Sequence, residues 1–210
     1  MNKLFIFVIL SLITLNLKSQ SFYGGVKLAA LVSQVDGDNY GGYHKIAPTG
    51  GIYVRNNFSK NDNWGMSLEL NYRNKGSRAT QEELKAEGYS DFKIVLHYIE
   101  LPIIFNFKIK RISSYKFKND FFIEFGPSFA YLIKGTQYIS RIDQNETFNK
   151  FELGLNIGLS YMFNNRWGIN YRYSYSFPFT PIKKHPGGQK WLLNRGLYNN
   201  CMSLGLIFEI

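Results

Sequence analysis

The sequence predicts an all-β protein, an eight-stranded antiparallel up-and-down transmembrane β-barrel, and three observations carry that reading. The first is strict alternation. From Phe151 to Phe163 every second residue is large and apolar (Phe151, Leu153, Leu155, Ile157, Leu159, Tyr161, Phe163), with Glu152, Gly154, Asn156, Gly158, Ser160 and Met162 between them. Side chains of a strand point alternately to opposite faces, so one face is continuously apolar and the other small and polar. The second is rhythm: such segments recur along the chain, and their connections alternate short and long, the pattern of outer-membrane barrels. The third is an export leader with no later apolar run long enough to span a membrane as a helix.

The leader has Lys3, an apolar stretch from Leu4 to Leu15, and Leu17-Lys18-Ser19 as the cleavage context. The expected cut follows Ser19, making residues 1–19 a signal peptide and 20–210 one barrel domain. The single cysteine, Cys201, excludes both an internal disulfide and a lipoprotein anchor behind the leader, and reads as a small residue of the last strand. The net charge is +10. In an exported chain, basic charge meets lipid phosphates and cell-wall polymers; no nucleic-acid motif is present.

Eight strands follow in order. The first, 22–33, sets Val26, Leu28 and Ala30 against Lys27. The second, 47–58, sets Ile52 and Val54 against Tyr53 and Arg55. The third, 64–75, sets Trp64, Met66, Leu68, Leu70 and Tyr72 against Ser67, Glu69, Asn71 and Arg73. The fourth, 92–108, sets Ile99, Leu101, Ile103, Phe105 and Phe107 against Tyr98, Glu100 and Asn106. The fifth, 120–134, sets Phe121, Ile123, Phe125, Phe129 and Tyr131 against Glu124, Gly126 and Ser128. The sixth is 151–163. The seventh, 166–177, sets Trp167, Ile169, Tyr171, Tyr173 and Tyr175 against Gly168, Asn170, Arg172 and Ser174. The eighth, 198–210, sets Met202, Leu204, Leu206, Phe208 and Ile210 against Ser203, Gly205 and Glu209.

Connections after the even strands (59–63, 109–119, 164–165) are the shorter set and define a periplasmic rim. Those after the odd strands (34–46, 76–91, 135–150, 178–197) are longer and face outward. Thr80-Gln81-Glu82-Glu83 fits a capping box and Gly88 a C-terminal cap, predicting a short surface helix in the second long loop.

Alternation alone also fits a soluble sandwich or lipocalin-like cup. The polar face, however, is rich in Gly, Ser, Asn and Ala, which suits a narrow interior rather than a solvent surface. Aromatics cluster at strand ends: Phe58, Trp64, Phe107, Phe121, Phe163, Trp167 and Phe208 toward one rim, and Tyr72, Tyr131, Phe151 and Tyr175 toward the other. Two such belts belong at headgroup levels. The chain also finishes Phe208-Glu209-Ile210, as substrates of the outer-membrane assembly machinery do, with Ile in place of the commoner terminal aromatic.

With these residues in view, the sequence resembles the PorT-like outer-membrane β-barrel domain common in Bacteroidetes. Gly25-Val26-Lys27 is similar to that family's opening strand and Pro48-Thr49-Gly50-Gly51-Ile52-Tyr53 to its second. The stretch from Glu69 to Gly76 resembles its third-strand block, Tyr98-Ile99-Glu100-Leu101-Pro102 its most specific segment, and Glu124-Phe125-Gly126-Pro127 and 151–163 its later strands. The resemblance implies an eight-stranded outer-membrane barrel, some of whose relatives serve secretion or gliding machinery. It supplies no catalytic motif.

The inward positions carry Lys27, Arg55, Arg73 and Arg172 with Glu69, Glu100, Glu124 and Glu152. Buried charges persist when paired and hydrogen-bonded, so these eight form an expected salt-bridge network that plugs the lumen. Glu69 and Glu100 are placed at similar heights on adjacent strands with a cation such as Arg172 or Lys27 between them, in preference to acid–base catalysis. His44, His97 and His185 show no metal-ligand spacing, and Asp36-Gly37-Asp38-Asn39 reads as a polar turn ahead of a Ca²⁺ site. No cofactor is expected. Two basic patches remain. Lys108, Lys110, Arg111, Lys116 and Lys118 surround the longest periplasmic turn, facing a candidate periplasmic partner. Lys183, Lys184, Lys190 and Arg195, with His185 and Trp191, make the last outer loop a candidate contact for lipid phosphates.

The functional expectation is a non-enzymatic outer-membrane barrel with long outer loops for interaction, accessory to secretion or envelope assembly. Its partners are outer-membrane lipid, the assembly machinery during insertion, and a periplasmic or surface protein. The alternatives are an outer-leaflet lipid-modifying enzyme, which needs a Ser/His pair near the rim, and a small-solute pore.

Overall fold

The computed structural model describes residues 22–58, 63–109, 120–144, 147–184 and 196–210. Among them are eight long strands: β1 (Phe22–Asp36), β2 (Lys45–Asn57), β3 (Trp64–Arg78), β4 (Phe92–Ile109), β5 (Asp120–Ile139), β7 (Phe151–Met162), β8 (Trp167–Ser176) and β10 (Gly196–Glu209). Two-residue strands β6 (Ile142–Asp143) and β9 (Lys183–Lys184) attach to β5 and β10, and one helix, α1 (Gln81–Glu87), precedes β4. Each long strand pairs antiparallel with the next. β10 then returns to β1, from Gly25↔Glu209 to Asp36↔Tyr198, and the barrel closes. Closure leaves no free edge strand at the ends of the sheet, a requirement for a sheet in hydrocarbon.

Alternation sorts the two faces as expected. On β7, Leu155 is 49% and Ile157 58% exposed, whereas Glu152, Asn156 and Ser160 between and beside them are buried. Leu28, Ile52, Leu70, Phe129 and Leu204 stand on the same apolar exterior. Aromatic pairs mark both ends of this belt: Trp64–Phe107 and Trp167–Phe208 near the short turns, Tyr131–Phe151 near the long loops.

The strands run further toward the long loops than the apolar periodicity shows. β1 reaches Asp36, β3 Arg78 and β5 Ile139. These extensions lack the alternating apolar side chains that signal a strand. A register shift between His97 and Tyr98 adds one residue to β5, so Leu132 opposes Tyr98 while Lys134 opposes His97. Such a bulge bends the strand and raises its twist. Lower down, Gly126 lets β5 approach β4 closely: a Cβ there would stand 2.0 Å from the Ile103 carbonyl oxygen.

The α1 capping box forms, with Thr80 and Glu83 exchanging hydrogen bonds and Gly88 closing the helix at φ 74°. Glu83 also accepts from the Gly41 N–H at 2.9 Å, and Tyr40 donates to Glu87 at 3.0 Å, so the helix fastens the first long loop. Leu84 points into an apolar cluster with Phe92, Ile94, Leu96, Leu132 and Ile182, which caps the long-loop end of the lumen. A smaller cluster, Tyr53, Phe122, Met162 and Ile207, lies at the short-turn end. Charged and polar side chains fill the space between.

Candidate functional site

The interior is built in layers because inward residues of successive strands recur every second position. Nearest the short turns, Arg55 meets Glu209 at 2.9 Å, and the Tyr53 hydroxyl donates to the same carboxylate at 3.0 Å. The Arg55 guanidinium stacks 5.0 Å from the Phe122 ring centroid and 5.3 Å from that of Tyr23. In the middle, Arg172 grips Glu69 with both terminal nitrogens, at 2.6 and 2.9 Å, and reaches Glu124 at 2.5 Å. Such forked contacts are the stronger class of ion pair. Lys27 approaches Glu69 at 2.7 Å, Asn71 donates to Glu69, and Ser160 and Asn170 donate to Glu124. Above, Arg73 and Lys75 hold Glu100 at 3.1 and 2.7 Å, and Lys75 continues to Glu152 at 3.1 Å. Glu152 also accepts from Ser176 and Asn199.

All eight charged residues singled out in the sequence point inward. Two more belong with them. Lys75 lies two positions beyond Arg73, and Glu209 is the partner of Arg55; inward parity marks both, but they sit at strand ends where the pattern is shortest. With them the described lumen holds five bases and five acids in contact. One expectation is corrected. Among the described residues no cation bridges Glu69 and Glu100. Asn71, not Glu69, opposes Glu100, so Glu69 lies two residues lower and shares Arg172 with Glu124, while Glu100 belongs to Arg73 and Lys75. The middle and upper carboxylates are each held by a cation and shut from solvent, so none is placed to exchange a proton with a bound substrate. A cavity of about 30 Å³ beside Lys27, Glu69, Asn71, Arg73 and Arg172 has room for one or two waters.

Larger hollows open at the two rims. At the long-loop rim a cavity of about 350 Å³ is walled by Asp38, Tyr40, Glu87, Lys183 and Lys184 over Phe92 and Ile94. Lys183 and Lys184 are thus on the mouth wall, in β9, paired to Leu197 and Gly196. Lys190, Trp191 and Arg195, with His185, lie outside the described residues, as do Lys110, Arg111, Lys116, Lys118 and the leader. At the opposite rim a cavity of about 400 Å³ is lined by Arg55, Lys108, Asp120, Arg166 and Glu209, and Lys108 pairs with Asp120 at 2.7 Å.

Among the described residues no group of three or more His, Cys, Asp and Glu is arranged to hold a metal ion. Asp36 accepts from Gln34 and Asn200, and Asp38 from Ser77 and the Tyr40 N–H. Burial pushes the Asp38 carboxyl up to about 6, against the lowering effect of the Ser77 and Tyr40 hydrogen bonds. An unfolded Asp titrates near ~3.9. The folded loop therefore binds the proton more tightly, and this contribution to stability is fully present below about 3.9 and lost as pH rises through about 6. Amide protection at Tyr40 and Gly41 is expected to fall between pH 5 and 7 beyond the intrinsic exchange rate, and Asp38→Asn to remove that step. A protection profile flat across this range in the wild type contradicts the assignment.

A closed barrel of eight strands, apolar outside and charge-locked inside, defines the class of small outer-membrane barrels. The family model described as outer membrane protein beta-barrel domain matches residues 19–182, and the chain belongs to that family. No curated protein matches the sequence. Among solved structures the chain is similar to Ail, the attachment invasion locus protein of Yersinia pestis, in complex with the heparin analogue sucrose octasulfate. The identity is 16% over 90% of this chain and 99% of that one, with a TM-score of 0.49. Neisserial surface protein A gives 13% over 92% and 100%, with a TM-score of 0.43. The outer membrane enzyme PagL gives 12% over 90% and 99%, with a TM-score of 0.37.

Proposed function

We propose that this protein is a non-enzymatic outer-membrane barrel of the PorT-like type, inserted with its short turns and both strand termini on the periplasmic side. Its lumen is a structural lock, and its long outer loops form the working surface, accessory to secretion or envelope assembly. The observation that carries the reading is the pairing of an apolar exterior with a lumen whose carboxylates are each bound to a cation. An eight-stranded barrel has an interior just wide enough for its own side chains. Continuous conduction needs a water column, and here Arg172, Glu69 and Glu124 occupy its axis.

The test has two readouts. Cell fractionation is expected to place the protein in detergent-extracted outer membrane, with gel mobility that changes on heating. In planar bilayers the purified barrel is expected to show no steady conductance. Recovery in soluble periplasm without detergent overturns the membrane assignment. A stable open channel overturns the lock.

A further inference from the structure

The bulge in β5 re-aims one polar side chain. Below it the inward residues of β5 are even-numbered, Phe122, Glu124, Ser128 and Leu132 among them, the last opposite Tyr98. Above it Gly135 opposes Leu96 and Gln137 opposes Ile94, two inward residues of β4, so the odd positions turn inward. Bulges commonly redirect a side chain in this way beside a site. Gln137 is 9% exposed, and its side-chain amide has no hydrogen-bond partner among the described residues. An amide carries two donors and an accepting oxygen, and burying it unpaired is costly. Gln137 lines the cavity of about 350 Å³ at the long-loop rim.

That cavity has an apolar floor and polar walls. Phe92 and Ile94, both part of the apolar plug, form the floor. Tyr40 lies against Phe92 with ring centroids 4.2 Å apart, and its hydroxyl donates to Glu87 at 3.0 Å, which fixes both on the wall. Tyr89 also lines the cavity and is 41% exposed. Charge cancels among the described lining residues: the carboxylates of Asp38 and Glu87 match the ammonium groups of Lys183 and Lys184. A neutral ligand therefore suits the walls better than an ion of either sign.

The volume falls within the range of about 300–1,000 Å³ for small-ligand sites, as does the mix of apolar surface with a few convergent polar groups. Each hydroxyl of a sugar both donates and accepts, so it can pair with an amide and a carboxylate together. The C–H faces of a sugar ring are apolar and pack on aromatic rings.

We propose that the cavity over the apolar plug binds a short neutral saccharide, with Gln137 pairing its hydroxyls and Tyr40 and Tyr89 packing against its ring. The proposal rests on the reading of the long loops as the outward working surface for the side from which the sugar arrives. Binding itself is a property of the folded barrel.

The test uses the full barrel purified in lauryldimethylamine oxide, a detergent without a sugar headgroup. Saturation-transfer NMR is recorded with maltose, cellobiose, lactose and N,N′-diacetylchitobiose, and with trialanine and inorganic phosphate as controls. At least one disaccharide is expected to show transfer, strongest on its ring C–H protons, and neither control is expected to. Gln137→Leu keeps the size of the side chain and removes its hydrogen bonds, so affinity is expected to fall about fivefold, the effect of one hydrogen bond of about 1 kcal/mol. Heat-modifiable mobility reports whether this variant folds; if it does not, Tyr89→Ser, at an exposed position outside the plug, is expected to lose a similar factor. Transfer to none of the disaccharides overturns the site and leaves Gln137 to solvent. So does undiminished binding by a folded variant of either kind, or transfer to trialanine or phosphate in preference to the sugars. Intact cells test the reading beneath the proposal: a sugar that binds the purified barrel but not cells displaying it keeps the site and rejects the outward orientation of the long loops.

Discussion

Arg172→Met is expected to destabilise the barrel by about 3–5 kcal/mol, the range for removing one partner of a buried ion pair. Arg172 is the cation shared by Glu69 and Glu124, with contacts from 2.5 to 2.9 Å. Without it, Lys27 alone faces two carboxylates, at 2.7 Å from Glu69 and 3.9 Å from Glu124. Methionine replaces much of the volume but none of the charge, so the effect is electrostatic rather than a cavity. Second-site Glu124→Gln is expected to recover part of the loss, because Lys27 and Glu69 then balance. Urea unfolding followed by tryptophan fluorescence checks both. A Met variant as stable as the wild type would show that the lock is not structural.

Leu155→Arg probes the other face. Leu155 stands mid-strand on β7, opposite Tyr175 and Pro127, with its side chain on the apolar exterior. Arginine at the bilayer midplane of a barrel costs about 2–4 kcal/mol, falling to about 0–1 near the interfaces. A loss in that range is expected for the protein folded into liposomes. The same substitution at Phe163 or Trp167, near the short-turn rim, is expected to cost much less. If all three sites respond alike, or if Leu155→Arg is neutral, the exterior meets water.

Strand positions were legible because hydrocarbon and lumen impose opposite demands on neighbouring residues, and Leu153-Gly154-Leu155-Asn156-Ile157 records both. Inward parity alone located Lys27, Glu69, Glu100 and Arg172. Pairing was not legible, because partners depend on register and on strand tilt across the closed sheet. Glu69 and Glu100 look level in the sequence, but the register sets Asn71 opposite Glu100. Lys75 escaped because it is the last residue of the third strand as the alternation shows it, and Glu209, although on the inward side of the last strand, was not joined to Arg55 because nothing in the sequence shows which strands meet. The apolar plug of Ile94, Leu96 and Leu132 was hidden for another reason. Above the membrane the lumen closes on α1 through Leu84, so the apolar side of β4 turns inward: Phe92, Ile94 and Leu96 are buried while Lys93 and His97 between and beside them are not, the reverse of the pattern lower on the strand.

The central claim is that one face of each strand meets lipid while the other is sealed inside. Spin labels placed singly at residues 153 to 158 of β7, in a Cys201→Ser background and in bilayers, test it most directly. Labels at Leu153, Leu155 and Ile157 are expected to collide freely with oxygen and hardly at all with a water-soluble nickel complex. Labels at Gly154, Asn156 and Gly158 are expected to be poorly accessible to both. Free access of the nickel complex to Leu153, Leu155 and Ile157 would contradict the account, because it would place water where the barrel requires hydrocarbon.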